Sequence, residues 1–218
     1  MKLSLSSSKV AVAGKLALLT SAPLMALAEG PTFSDVPTGA YYEVAAEALV
    51  SAGALDANET RLRPSDLATR AELAKLLVNL NGKTLLYPSV SSFSDVSRNA
   101  WYFPYIEAAA SAGWMKGDGN CYKQTGNCKA RPGDRVNRAE AATLIERAFV
   151  QAYLGSAPVF SDNAQSQWYF GAIQTAADHC VLQGDANTTL VRPGAYMNRA
   201  EMVTMFHRAY LDLTYGID

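Results

Sequence analysis

Apolar residues recur along this chain at helical spacing in two kinds of stripe, and each kind occurs three times. The first kind follows an aromatic pair: Tyr41-Tyr42, Trp101-Tyr102 or Trp168-Tyr169. At offsets +5, +8, +9 and +12 from the first aromatic stand Ala46, Leu49, Val50 and Gly53. The same offsets give Ile106, Ala109, Ala110 and Gly113, then Ile173, Ala176, Ala177 and Cys180. That spacing marks one face of an α-helix. Its small residues predict three helices approaching closely about a common axis. Cys180 is either a buried small hydrophobe or an unpaired reactive thiol, and its slot, which holds glycine in the other copies, favours burial.

The second stripe starts at an Arg-Ala-Glu triplet. From Arg70, Arg138 and Arg199, apolar residues recur at +3, +4 and +7: Leu73, Ala74, Leu77; Ala141, Ala142, Ile145; Met202, Val203, Phe206. This is again a core-facing helical face. Thr69-x-x-Glu72, Asn137-x-x-Glu140 and Asn198-x-x-Glu201 each set an N-cap residue three before a glutamate. The first is a capping box, and the other two use Asn as the cap. Turn-rich segments such as "GDGN" and "RPGD" separate the stripes. The pattern predicts an all-α chain of six main helices in three tandem helix–loop–helix units.

Other positions keep the same register. Phe33-Ser34-Asp35, Phe93-Ser94-Asp95 and Phe160-Ser161-Asp162 open the copies, and Arg63, Arg131 and Arg192, each followed by Pro, precede the triplet arginine by seven residues. Sixteen residues after the first aromatic come Ala57, Gly117 and Gly184. So many registered positions establish an internal repeat. The units are expected at 33–82, 93–153 and 160–213, joined by "NGKTLLYPSVSS" and "YLGSAPV".

Composition alters the picture mainly at the N-terminus. The 218 residues are 49 % hydrophobic and 18 % charged, with a formal net charge of −1. Nothing in that balance suggests nucleic acid. Residues 1–28 carry Lys2, Lys9 and Lys15 before a short apolar run ending Ala26-Leu27-Ala28, the form of a secretory signal peptide cleaved before Glu29. An uncleaved anchor is the alternative. Export to an oxidising compartment makes Cys121 and Cys128 a disulfide pair, worth about 2.5 kcal/mol in the chain-entropy picture. Cys-x6-Cys is poor zinc spacing. A calcium loop fails on Tyr122 and Lys129, at the fifth and twelfth positions of "DGNCYKQTGNCK". No metal or cofactor is expected.

Glu72, Glu140 and Glu201 are explained as cap partners, but the arginine before each is not, because a first-turn cation opposes the helix dipole by about 0.3–1 kcal/mol. One reading ties it to the aspartate of the repeat's Phe-Ser-Asp opening. The other makes it, with the N–H groups of the helix N-terminus, an anion site. The aromatic pairs fit the second, since a ring stacks on a sugar face while Asp and Arg take hydroxyls and an acidic substituent. Each Trp also has a plain reading as core. His179 and His207 have no repeat-spaced nucleophile or acid, so no enzyme is expected.

Taken together, "FSDV…WYF…AAASAG…GDG…ARPGDRVNRAEAATLI" strongly resembles the S-layer homology (SLH) module, whose hallmark is a Thr-Arg-Ala-Glu-like motif entering a helix. The resemblance runs from about Phe33 to Leu213. It implies three SLH-like modules in a pseudo-threefold bundle, non-catalytic anchoring of an exported protein at the bacterial cell surface, cell wall or periplasm, and an acidic or pyruvylated wall polysaccharide, or a peptidoglycan-linked glycan, as partner. Carried over, the glycan-binding residues are Arg70, Arg138 and Arg199; Asp35, Asp95 and Asp162; Trp101 and Trp168; Gly117 and Gly184. Copy one departs from the pattern at Tyr41 and Ala57. No enzyme, porin barrel or lattice region is seen after Leu213, so the expected further partner is a protein cargo or a second copy of the chain. The competing function is an exported structural or adaptor protein that uses the triplet for protein–protein contacts.

Overall fold

Helices form where the two stripes predict them. The computed structural model describes residues 33–118, 121, 128–149 and 154–215; the predicted signal peptide and most of the cysteine loop lie outside these. Among the described residues there are six helices and no strand: α1 (Glu43–Ser51), α2 (Arg70–Leu80), α3 (Phe103–Ser111), α4 (Arg138–Phe149), α5 (Phe170–Asp178) and α6 (Arg199–Tyr215). All three capping boxes close. The Glu72, Glu140 and Glu201 N–H groups donate to Thr69 Oγ1, Asn137 Oδ1 and Asn198 Oδ1, and each glutamate accepts the cap residue's own N–H in return.

Which helices meet differs from the expectation. The Arg-Ala-Glu helices α2, α4 and α6 contact one another around the pseudo-threefold axis, whereas α1, α3 and α5 lie outside them. Each outer helix packs on the inner helix of the preceding module: α3 on α2, α5 on α4, and α1 on α6. The last pairing closes the ring. The inner stripes are fully buried, from Leu73 and Leu77 to Val203 and Phe206, and Leu76, Leu144 and Met205 bury further faces of the same helices. Buried on several sides, these helices take the centre.

The small residue at +12 is therefore not a packing slot. Gly53 and Gly113 hold left-handed backbones at the end of α1 and α3, with φ of 70° and 77°. The Ala54 N–H reaches the Leu49 carbonyl while the Gly53 N–H reaches that of Val50, the Schellman arrangement that stops a helix. Cys180 occupies the same left-handed position at φ 54°, and it is exposed rather than buried.

The segments just before the inner helices knit the axis together. The Ala68 N–H donates to the Met197 carbonyl, Met197 N–H to Val136 and Val136 N–H to Ala68, at 2.9, 2.9 and 3.0 Å. The result is a closed triangle of single β-bridges with one corner from each module. The interdomain linkers are pinned by acids. Buried Glu107 accepts Ser91 Oγ and the Ser92 N–H and Oγ, and Asp178 accepts the Leu154 and Gly155 N–H groups.

Candidate functional site

The triplet arginine joins neighbouring modules. Arg70 Nε donates to the Ala130 carbonyl at 2.8 Å, Arg138 Nε to Val191 at 2.7 Å and Arg199 Nε to Leu62 at 2.6 Å. Each also faces the capping glutamate of the next module: Arg70 Nη1 to Glu140 at 3.5 Å, Arg138 Nη1 to Glu201 at 3.9 Å, and Arg199 Nη1 to Glu72. Arg138 adds the Gln183 carbonyl at 2.5 Å. Arg70 and Arg199 are only 7 % and 5 % exposed. Burial lowers the pKa of Arg70 and of Arg138, and the neighbouring glutamates Glu140 and Glu201 oppose that shift. The arginine's partner is thus the next module's glutamate, not the aspartate of the Phe-Ser-Asp opening. Its cost against the helix dipole is offset by these contacts.

The helix N-termini are not open anion sites either. The Arg70 and Ala71 N–H groups donate to the Asp134 and Pro132 carbonyls, Arg138 and Ala139 to Ala195 and Pro193, and Arg199 and Ala200 to Asp66 and Pro64. With the cap side chain on the third N–H, the first-turn donors are satisfied by protein.

Asp35, Asp95 and Asp162 fill a backbone nest instead. Asp35 accepts the Leu62 and Arg63 N–H groups, both at 2.8 Å. Asp95 takes those of Ala130 and Arg131 at 2.8 Å, and Asp162 those of Val191 and Arg192 at 2.9 and 2.7 Å. Two successive N–H groups converging on one oxyanion form an anion-binding concavity, here occupied by the chain's own carboxylate. Burial pushes the Asp35 carboxyl up, but the Arg63 and Leu62 N–H groups more than offset it, leaving its pKa below the ordinary carboxylate value. The arginines at these turns, Arg63, Arg131 and Arg192, have left-handed backbones at φ 56°, 52° and 49°. For a non-glycine residue that conformation costs on the order of 1–3 kcal/mol, and such strain concentrates at functional sites.

These Arg-Pro arginines are the residues that the sequence reading did not carry into the site, although their fixed spacing before each triplet was visible. Their side chains reach solvent. Arg63 is the most loosely held, 4.0 Å from both Asp66 and Glu72. Arg131 faces Asp118 at 2.9 Å, Asp134 at 3.4 Å and Glu140 at 3.7 Å, and Arg192 is 2.7 Å from Asp185.

A cleft of about 640 Å³ opens beside Arg63. Module 1 lines it with Arg63, Glu72 and Lys75, module 2 with Trp101 and Tyr102, and module 3 with Arg199. The first aromatics are exposed: Trp101 at 55 %, Trp168 at 66 % and Tyr41 at 67 %. The plain core reading of these two tryptophans therefore does not hold, and Trp114 is the buried one. Tyr41 stands in the field of Glu201: burial first, then that carboxylate, raises its phenol pKa. It thus lies beside module 3 as Trp101 lies beside module 1. Ala57 does not line the module 1–2 cleft, so the departures in copy one leave that cleft complete.

Gly117 and Gly184 lie under the first phenylalanine of their own module, each next to the aspartate that pairs with that module's Arg-Pro arginine, Asp118 with Arg131 and Asp185 with Arg192. A Cβ on either would come within 2.7 Å of the Phe93 or Phe160 ring. Cys121 and Cys128 form the predicted disulfide beside Gly117. His179 Nδ1 lies 3.0 Å from Asp212, tying the end of α5 to α6, and burial, then Arg208, lowers the pKa of His207. Among the described residues no cluster suits a metal ion, and no helix is long and apolar enough to cross a membrane.

The S-layer homology domain family matches residues 32–74, 92–120 and 159–203. Exoglucanase XynX of Acetivibrio thermocellus is 29 % identical over 198 residues, 87 % of this chain and 17 % of the relative. The S-layer protein sap of Bacillus anthracis is 31 % identical over 123 residues, 56 % of this chain and 14 % of the relative. An uncharacterized cell wall amidase of Bacillus anthracis is 29 % identical over 163 residues, 73 % and 29 % respectively. The chain spans less than a third of the length of each of these relatives.

Proposed function

The chain belongs to the S-layer homology domain family, and from that premise we propose that it is a non-catalytic module holding an exported protein at the bacterial cell envelope by binding acidic wall glycan. The observation that supports this most is the cleft joining exposed Trp101 to Arg63 and Arg199 across three modules. A sugar ring stacks on the indole face. An acidic substituent, such as the carboxylate of a pyruvate ketal, meets the Arg63 guanidinium, which gains a better partner than two carboxylates at 4.0 Å. Arg199 serves from the floor, already positioned by Glu72 and the Leu62 carbonyl. Asp35, Asp95 and Asp162 act one step back, by holding the left-handed arginine turns in place.

The proposal is tested by sedimentation with purified cell-wall sacculi. Trp101→Ala and Arg63→Gln change exposed side chains and leave the module contacts intact, so both variants melt like wild type. Each is expected to remain in the supernatant. Folded variants that pellet with walls as wild type does would refute the glycan cleft and leave the adaptor reading.

A further inference from the structure

The module 1–2 cleft does not end at Arg63. A second cavity of about 500 Å³ continues from it toward the pseudo-threefold axis and shares Arg63, Thr69, Glu72 and Arg199 with it. Its remaining lining is Ser65, Asp66 and Leu67 of module 1 and Arg135 of module 2. Arg135 stands in the ring of β-bridges, opposite Thr69. It is exposed, and among the described residues it makes no ion pair. Arg199 is committed to Glu72 and Arg63 stands near Asp66, so Arg135 is the cation that this cavity holds in surplus. The modules differ at this point: counting back three residues from Arg70, Arg138 and Arg199, the ring carries Leu67, Arg135 and Tyr196.

We infer that the axial cavity is a second anion subsite, with Arg135 as its specificity-determining residue, and that this cleft selects a saccharide carrying acidic groups on two successive rings. The inference rests on the glycan reading above. One ring stacks on Trp101 with its acid at Arg63; the next enters toward the axis, where Ser65 and Thr69 offer hydroxyls and Arg135 meets the second acid. Confining two linked acids between Arg63 and Arg135 makes the second contact intramolecular, which raises affinity without new contacts at the first. Modules 1 and 3 carry no cation at the ring position of Arg135, where Leu67 and Tyr196 stand.

Calorimetric titration with two synthetic probes tests it: a monosaccharide bearing one pyruvate ketal, and a disaccharide bearing one on each ring. Wild type is expected to bind the disaccharide about tenfold more tightly, equivalent to about 1.4 kcal/mol. In Arg135→Gln, which changes an exposed side chain and melts like wild type, that advantage falls below about twofold while the monosaccharide Kd stays within about twofold. A disaccharide advantage that survives Arg135→Gln, or none in wild type while the monosaccharide binds, overturns the second subsite and leaves the glycan reading standing. Failure of both probes to bind wild type overturns both.

Discussion

Each Asp of the Phe-Ser-Asp openings holds two peptide N–H groups, and nothing else of its size could do so. Replacing Asp95 by Asn turns one acceptor toward a donor, with an expected cost of about 2 kcal/mol, read as a lower denaturant midpoint at unchanged slope. The Asp35 pKa lies below its ordinary value in the fold. Its stabilisation is therefore present above the unfolded-state pKa of about 3.9 and lost as pH falls through the lower folded value. The stability gap between wild type and Asp35→Asn should accordingly narrow below about pH 4 in acid titrations. Cys180 keeps a Cβ where Gly53 and Gly113 have none, so Cys180→Gly is expected to raise stability by about 1 kcal/mol in thermal melts. The repeat register located this position, but not its meaning. An apolar count at +12 looks the same for a packing slot and for the left-handed residue that ends a helix.

The inner helices show what a pattern within one copy can and cannot specify. Both stripes and all three capping boxes were readable, because i to i+3 and i+4 relations are local. The partners of Arg70, Arg138 and Arg199 were not, since identical repeats do not say which copy touches which. The arginine acts between elements: it leaves its own helix to hold the capping glutamate and a carbonyl of the next module. Arg70→Ala removes the donor to the Ala130 carbonyl and the nearer of the two guanidinium groups facing Glu140, leaving Arg131 at 3.7 Å, and a loss of about 1–3 kcal/mol is expected. Glu140→Ala adds the loss of a cap. Since the two changes remove one shared contact, the double variant should lose less than the sum of the singles, measured by a double-mutant cycle. Arg63→Gln, at the surface, should cost within about 0.5 kcal/mol.

Across the whole molecule, stability is shared around a closed ring, because α1 packs on α6 and Arg199 reaches Leu62 from the other end of the chain. Residues 33–215 should therefore unfold in one calorimetric transition rather than three, unlike an open array in which each repeat touches only its neighbours. The same closure builds the cleft: Arg63 comes from module 1, Trp101 from module 2 and Arg199 from module 3. A single module could not assemble it; the sequence set the aromatics beside an Arg and an Asp, but not which module supplies each. The decisive measurement is the affinity of acidic wall polysaccharide for Trp101→Ala, with the melting temperature recorded on the same sample. An affinity at least about tenfold weaker than wild type, at unchanged melting temperature, is the result expected if glycan docks between modules; wild-type affinity in the folded variant would contradict it.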